Sequence, residues 1–244
     1  GYVSVRIETD EAGITSLRLY STNTMPSLSR ILPALQNAGV AIDREQSFWI
    51  DSAEGTRRYI TSLIVDADSA ARLTRPGVAD VAEELFAALF NGDAEDGRLN
   101  GLTIEGGLSM REVQLVRAYI SYWRQAGSKF STRYMAETLR LRAGLVKELV
   151  EGFALRFDPN LSAEERASGD AKLVALKAGL AKVNHADTEE IMAALVDLVL
   201  ATVRTNYFQR LGENSGEKII FKFDTSHLAL VPEPRPFREI YVFS

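Results

Sequence analysis

The period of the apolar residues changes partway along this chain, and that change limits the fold more than any single motif does. Val3, Val5 and Ile7 alternate with Ser4, Arg6 and Glu8, the two-residue rhythm of a half-buried strand. From about Ser109 the spacing becomes three and four, the rhythm of helices with one apolar stripe. Strand-like spacing returns in the last stretch, in "KIIFKF" and "REIYVF", separated by the proline-rich "PEPRP". Strands and helices kept in separate blocks of one chain read as α+β.

Within the first block, a turn at Asp10–Gly13 leads to Leu17 and Leu19 alternating with Ser16, Arg18 and Tyr20, a second strand. Leu28, Ile31, Leu32 and Leu35 then fall on one helical stripe, and Gly39 sits where a left-handed residue ends a helix. Pro33 removes a backbone donor inside this helix and predicts a short or kinked element. "VAIDREQSFWI" and "RRYITSLIVDA" form a strand pair joined through "DSAEGT", with Tyr59, Thr61, Leu63 and Val65 on one face. A second helix is expected from about Pro76, with Gly92 to stop it. Strand, helix, strand, strand, helix is most of a ferredoxin-like βαββαβ unit. Three segments are candidates for its closing strand: Val3–Thr9, the C-terminal strands, or the short "NGLTIE".

Caps delimit the helical block. Ser109 with Glu112 and Ser162 with Glu165 are capping boxes, Asp187 with Glu190 repeats the device in acidic form, and Ser131 opens the helix after Gly127. About five helices are expected before "GENSG" ends the block near residue 212. The domain reading is therefore 1–95, 96–212 and 213–244. A chain that opens on Gly-Tyr-Val and closes inside a strand-like segment is expected to be part of a longer polypeptide.

Several kinds of chemistry find no support. No dinucleotide glycine fingerprint, phosphate loop or nucleophile elbow is present. Cysteine is absent, which removes thiolate nucleophiles and thiolate metal ligands and fits a reducing cytoplasm. His185 and His227 lack partners at metal-ligand spacing, and His185 reads as a loop residue before the Asp187 cap. The adjacent pairs Glu164–Glu165 and Glu189–Glu190 lie in first helical turns, where they complement the helix dipole. No catalytic, cofactor-binding or metal-binding residue is assigned. A net charge of -5 argues against nucleic acid as a bulk partner, and no apolar run is long enough for a membrane helix.

The stretch "GLSMREVQLVRAYISYWRQAGSKFSTRYM" concentrates rings and cations. Its aromatic residues, Tyr119, Tyr122, Trp123, Phe130 and Tyr134, could stack on nucleic-acid bases, but helical periodicity favours the core. Between Ser109 and Lys147 eight basic residues face two acidic ones, whereas Asp80–Glu105 holds seven acidic residues and only Arg98. Opposed faces that meet, steering of a polyanion, and a plain solvated surface all fit that segregation.

This stretch resembles the helical region of the large bacterial NAD-specific glutamate dehydrogenases, with the same Leu-Ser helix opening, Arg117-Ala118-Tyr119 triplet and Gln-x-Gly turn. "ALFNGDAEDGRLN", "VRTNYFQ" and "PEPRPFREIYVFS" are similar to further blocks of that family, so the resemblance runs from about Leu28 to the end. It implies an ACT-like front unit, a helical part, and a catalytic domain whose lysine and dinucleotide glycines lie beyond this sequence. It implies a parent that oxidatively deaminates L-glutamate with NAD to 2-oxoglutarate, ammonia and NADH, as a cytoplasmic homo-oligomer. The expected role here is non-catalytic regulation and assembly, with the chain's own catalytic domain and other subunits as partners. A free-standing ACT-like sensor or helical interaction module, including a basic nucleic-acid reader, is the alternative. An amino-acid effector would contact Thr22, Asn23, Thr24, Ser27 and Gly39. Arg111, Arg117, Arg124, Arg133, Arg140 and Arg142 would form a docking surface around buried rings.

Overall fold

Whether a period written in the sequence becomes a strand or a helix depends on what its apolar face can meet. A computed structural model of the protein describes residues 2–51, 53, 55–209, 218–226 and 228–244. The chain divides into two compact units, Gly1–Val113 and Gln114–Ser244. The boundary falls after, not before, the first short helices of the expected helical block. His227 and the Gly212–Gly216 stretch lie outside the described residues.

In the first unit, β1 (Val3–Thr9) and β2 (Thr15–Thr22) form a hairpin, followed by α1 (Leu28–Asn37), β3 (Ile42–Asp51) and β4 (Arg57–Val65). Then come α2 (Ala67–Leu73), α3 (Val78–Asn91) and α4 (Gly101–Gly106). The sheet order is β1-β2-β4-β3, antiparallel throughout. β4 lies between β2 and β3, the strands that α1 connects, which is the split crossover expected of a ferredoxin-like unit. The closing strand is β1, supplied from before the unit instead of after it. "NGLTIE" is helical, entering α4 through a 3₁₀ turn at Arg98–Asn100.

Alternation decides which face of this sheet is covered. Val3, Val5, Leu17, Leu19, Leu63 and Val65 pack against Ile31, Leu35, Ala82, Leu85, Phe86 and Leu89 of α1 and α3 in one core. α1 keeps Pro33 in its interior within ten residues. Gly39, with φ +82°, turns the chain out of it. α2 is an element the periodicity did not announce. It is set by Asp66, whose carboxylate accepts the Ser69 N–H at 2.8 Å.

The second unit contains most of α5 (Met110–Gln125), then α6 (Thr132–Arg140), α7 (Ala143–Phe157), α8 (Ala163–Gly179) and α9 (Ala186–Ala201). The boxes at Ser109 and Ser162 form as expected, and the Ser131 hydroxyl accepts the Tyr134 N–H. α9 differs: its cap is His185, whose Nδ1 accepts the Thr188 N–H at 3.2 Å, while Asp187 is already in the first turn. An imidazole in this position offers a lone pair as a hydroxyl would, so the acidic pair is not needed as the cap.

α7 and α8 cross at two glycines. A Cβ on Gly169 would stand 2.6 Å from the Arg156 nitrogen, and one on Gly152 2.8 Å from Leu173. The C-terminal strands pair with neither β1 nor β3. They join β5 (Thr202–Thr205) in a separate antiparallel sheet, β5-β6-β7, with β6 at Ile219–Phe223 and β7 at Glu239–Phe243.

Candidate functional site

The Arg- and ring-rich stretch has to be judged from α5 outward. Residues Leu115 to Ile120 of α5 are buried without a break, followed by Tyr122 and Trp123. A helix buried on all sides needs partners around its whole circumference; the C-terminal sheet supplies some of them and Phe153 of α7 another. Tyr119 stacks on Phe221 with centroids 4.3 Å apart, and Tyr122 stacks on Phe223 at 4.4 Å. Trp123 meets Phe130 edge-on at 6.0 Å. The rings are core, as periodicity indicates; Tyr134, at the surface, still stacks on Phe130.

Each phenol in this cluster acts as a hydrogen-bond donor. The Thr202 hydroxyl donates to the Leu198 carbonyl, so its 2.9 Å contact with Tyr119 takes the proton from the tyrosine. Burial pushes the Tyr119 phenol far up from its ordinary value. Burial and the neighbouring Glu239 carboxylate, 2.7 Å away, do the same to Tyr122. Tyr134 is raised by its hydrogen bond to Asp187. Phenols held protonated in this way serve as donors in the structure and not as bases near neutral pH.

The six arginines differ in exposure. Arg117 is buried, because the all-round burial of α5 leaves it no solvent face. Arg111 and Arg140 are half-buried. Arg124 is exposed but donates back to the carbonyls of Ser128 and Phe130, at 2.5 and 2.8 Å. Arg133 stands 3.7 Å from Glu137, one turn away. Arg142 is exposed at the start of α7. In the acidic block, Glu83 pairs with Arg6 and Glu105 with Arg72, both at 2.8 Å, inside the first unit.

Arg156 is the polar residue that sequence spacing missed. Its guanidinium donates to the carbonyls of Leu200 and Thr202 and pairs with Asp170, so it joins α7, α8 and the end of α9. Burial lowers its ordinary value. The only sequence signal for it was a cation in the last turn of an apolar helix.

The effector candidates fall at two ends of one helix. Asn23 has φ +69°, and its N–H donates to the Arg57 carbonyl at 2.8 Å, so the Thr22–Thr24 turn is bound to β4. Ser27 occupies the N-cap position of α1 without capping it; its hydroxyl faces Ser29 at 2.8 Å. Gly39 lies beyond the far end of α1, about 15 Å away for ten helical residues. It helps line a shallow cleft of about 360 Å³ with Leu32, Gln36, Val40, Ala41 and Ile42. A second cleft of about 330 Å³, in the second unit, is lined by residues that include Tyr134, Glu137, Arg142 and His185. The first is lined by no ionisable side chain; in the second, the His185 Nδ1 is taken up in capping α9 and the Tyr134 hydroxyl donates to Asp187. Among the described residues no group of His, Asp or Glu is arranged to hold a metal, and no helix is long and apolar enough to cross a membrane.

Comparison with known proteins identifies three successive regions. Residues 3–78 match the ACT3 domain of glutamate dehydrogenase, and 94–159 match its helical motif 3. Residues 175–244 match the catalytic domain of bacterial NAD-glutamate dehydrogenase, a match that begins within α8, well before residue 213. The chain is 33% identical over 247 residues to the NAD-specific glutamate dehydrogenase of Mycobacterium tuberculosis, covering 97% of this chain and 15% of that protein. It is 29% identical to the enzymes of the same name from Halomonas elongata and Pseudomonas aeruginosa, covering 98% and 93% of this chain. The chain thus spans about 15% of the length of these relatives. The resemblance read from the sequence holds across all three regions.

Proposed function

We propose that this chain, a stretch of NAD-specific glutamate dehydrogenase type, is a non-catalytic regulatory and assembly segment of its parent enzyme. The observation that carries the reading is the first unit: a split βαβ sheet over the residues that match an ACT3 domain. The parent converts L-glutamate, NAD and water to 2-oxoglutarate, ammonia and NADH in the cytoplasm, as a homo-oligomer. NAD belongs to the parent's remaining domains and not to this segment. The chain's partners are the rest of its own catalytic domain and neighbouring subunits.

The test is turnover. The purified segment, given glutamate and NAD, is expected to produce no NADH, while the full-length parent produces it under the same conditions. NADH formed by the segment alone overturns the proposal. A second reading, an amino-acid sensor, is favoured by the cleft beside Gly39. Calorimetric titration with a panel of amino acids checks it; a heat signal abolished by Gln36→Ala supports a sensor, and silence leaves assembly as the role.

A further inference from the structure

The C-terminal sheet has one face packed and one open. Inward, Phe221 and Phe223 are fully buried against Tyr119 and Tyr122. Outward, Ile240 is 68% exposed and Val242 50% exposed on β7. Their direct cross-strand neighbours on β6 are Lys222 and Ile220. An antiparallel sheet with one wet face normally alternates apolar with polar along each strand. β7 departs from that, because both of its outward residues are branched aliphatics, the type suited to a covered sheet.

β7 is also an edge, and the chain treats its other edges differently. The free side of β1 is closed by side chains: Asn91 bonds the N–H and carbonyl of Val3, and Glu83 accepts the Ile7 N–H. β3 carries Asp43, Arg44, Glu45 and Asp51, charges that discourage a further strand. β5 is four residues long and broken by a register shift. The one charge in β7, Glu239, is taken up by the Tyr122 hydroxyl, and the strand pairs with β6 along its five residues without a register shift. It is held rigidly in place: the Tyr241 hydroxyl donates to Ser121 at 2.8 Å, and Glu239 accepts from Tyr122.

We propose that the free edge and outer face of β7 are the docking surface for the remainder of the catalytic domain, which lays a strand along β7 and apolar side chains over Ile240 and Val242. The occupant follows from the match: β6 and β7 lie within the region similar to a catalytic domain, and most of the relatives' length lies outside this chain. Those residues are tethered to the same polypeptide, so their effective concentration at β7 exceeds that of any free partner. Backbone pairing of an added strand supplies affinity, and the aliphatic pair on the outer face sets its register. The inference rests on the function proposed above.

Residue-resolved hydrogen exchange on the full-length parent tests it. In a three-stranded sheet only alternate amides of Glu239–Phe243 are bonded; with a strand added, every one of them is. All five are therefore expected to exchange at least about a hundred-fold more slowly than in an unfolded chain. In Ile240→Asp/Val242→Asp, the alternate set should return to fast exchange while the amides bonded to β6 stay slow, which separates undocking from unfolding. Ile240→Thr/Val242→Thr, which keeps β-branching, should fall between. Fast exchange of the alternate set in the wild-type parent overturns the inference, as does protection that depends on protein concentration, which would make a second copy the occupant. The parent's NADH production, measured on the same sample, tests the functional reading separately.

Discussion

Gly169 and Gly144 are both helical glycines, and their surroundings give them opposite roles. Gly169 sits where α8 meets α7, with Arg156 and Gly152 backbone atoms in the space a methyl group would fill; around Gly144 that space is open. Gly169→Ala should therefore cost about 1–3 kcal/mol through overpacking. Gly144→Ala should raise stability by roughly 0.5–1 kcal/mol through backbone entropy. Denaturant midpoints at unchanged slope distinguish the two. Tyr119→Phe removes a fully buried donor from Thr202, and an expected loss of about 1–2 kcal/mol checks that this ring is structural. None of these three roles was legible from spacing. A glycine in a helix is a propensity penalty until its neighbour is known, and a tyrosine on an apolar stripe does not reveal what its hydroxyl reaches.

Among the elements, caps were the most legible signals where they were hydroxyls, and less so elsewhere. Ser109, Ser131 and Ser162 act as read because a short side-chain oxygen before an apolar stripe has one geometry available. α9 escaped that logic through His185, and α2 is too short for seven residues to show a stripe. His185→Ala should shorten α9 at its first turn and cost about 1 kcal/mol, whereas His185→Asn should restore the loss. The Asp66 carboxylate lies below its ordinary range because Ser69 donates to it. A carboxylate lowered on folding stabilises above its unfolded range, and that stability is lost as pH falls through the folded one. Asp66→Ala should accordingly lower the melting temperature near neutrality, through the lost cap, and converge on the wild type as the pH falls, flattening the acid limb.

At the level of the whole molecule, the α+β class, the split first sheet and the helical second block follow from periodicity, and the likeness to glutamate dehydrogenases from a few quoted blocks. The partner choices of the strands did not follow. Val3–Thr9, "NGLTIE" and the C-terminal segments have similar local propensity, and only packing distinguishes them. Val3 and Val5 find a core under α3; Phe221 and Phe223 find one on α5. Arg117 is buried for a related reason: part of the cover over α5 comes from a sheet 80 or more residues away in sequence. Expectations drawn from local charge hold only where the helix keeps a wet side.

Supplying the closing strand from the front also affects how quickly the first unit can form. Thr9 faces Thr15 across a tight turn, so the β1–β2 edge closes a loop of a few residues instead of one spanning α1, β3, β4 and α3. Short loops lose less chain entropy before their contacts repay it, and topologies rich in local pairs cross the folding barrier sooner. The hairpin is expected to close first, which leaves the arrival of β4 between β2 and β3 as the later and slower step.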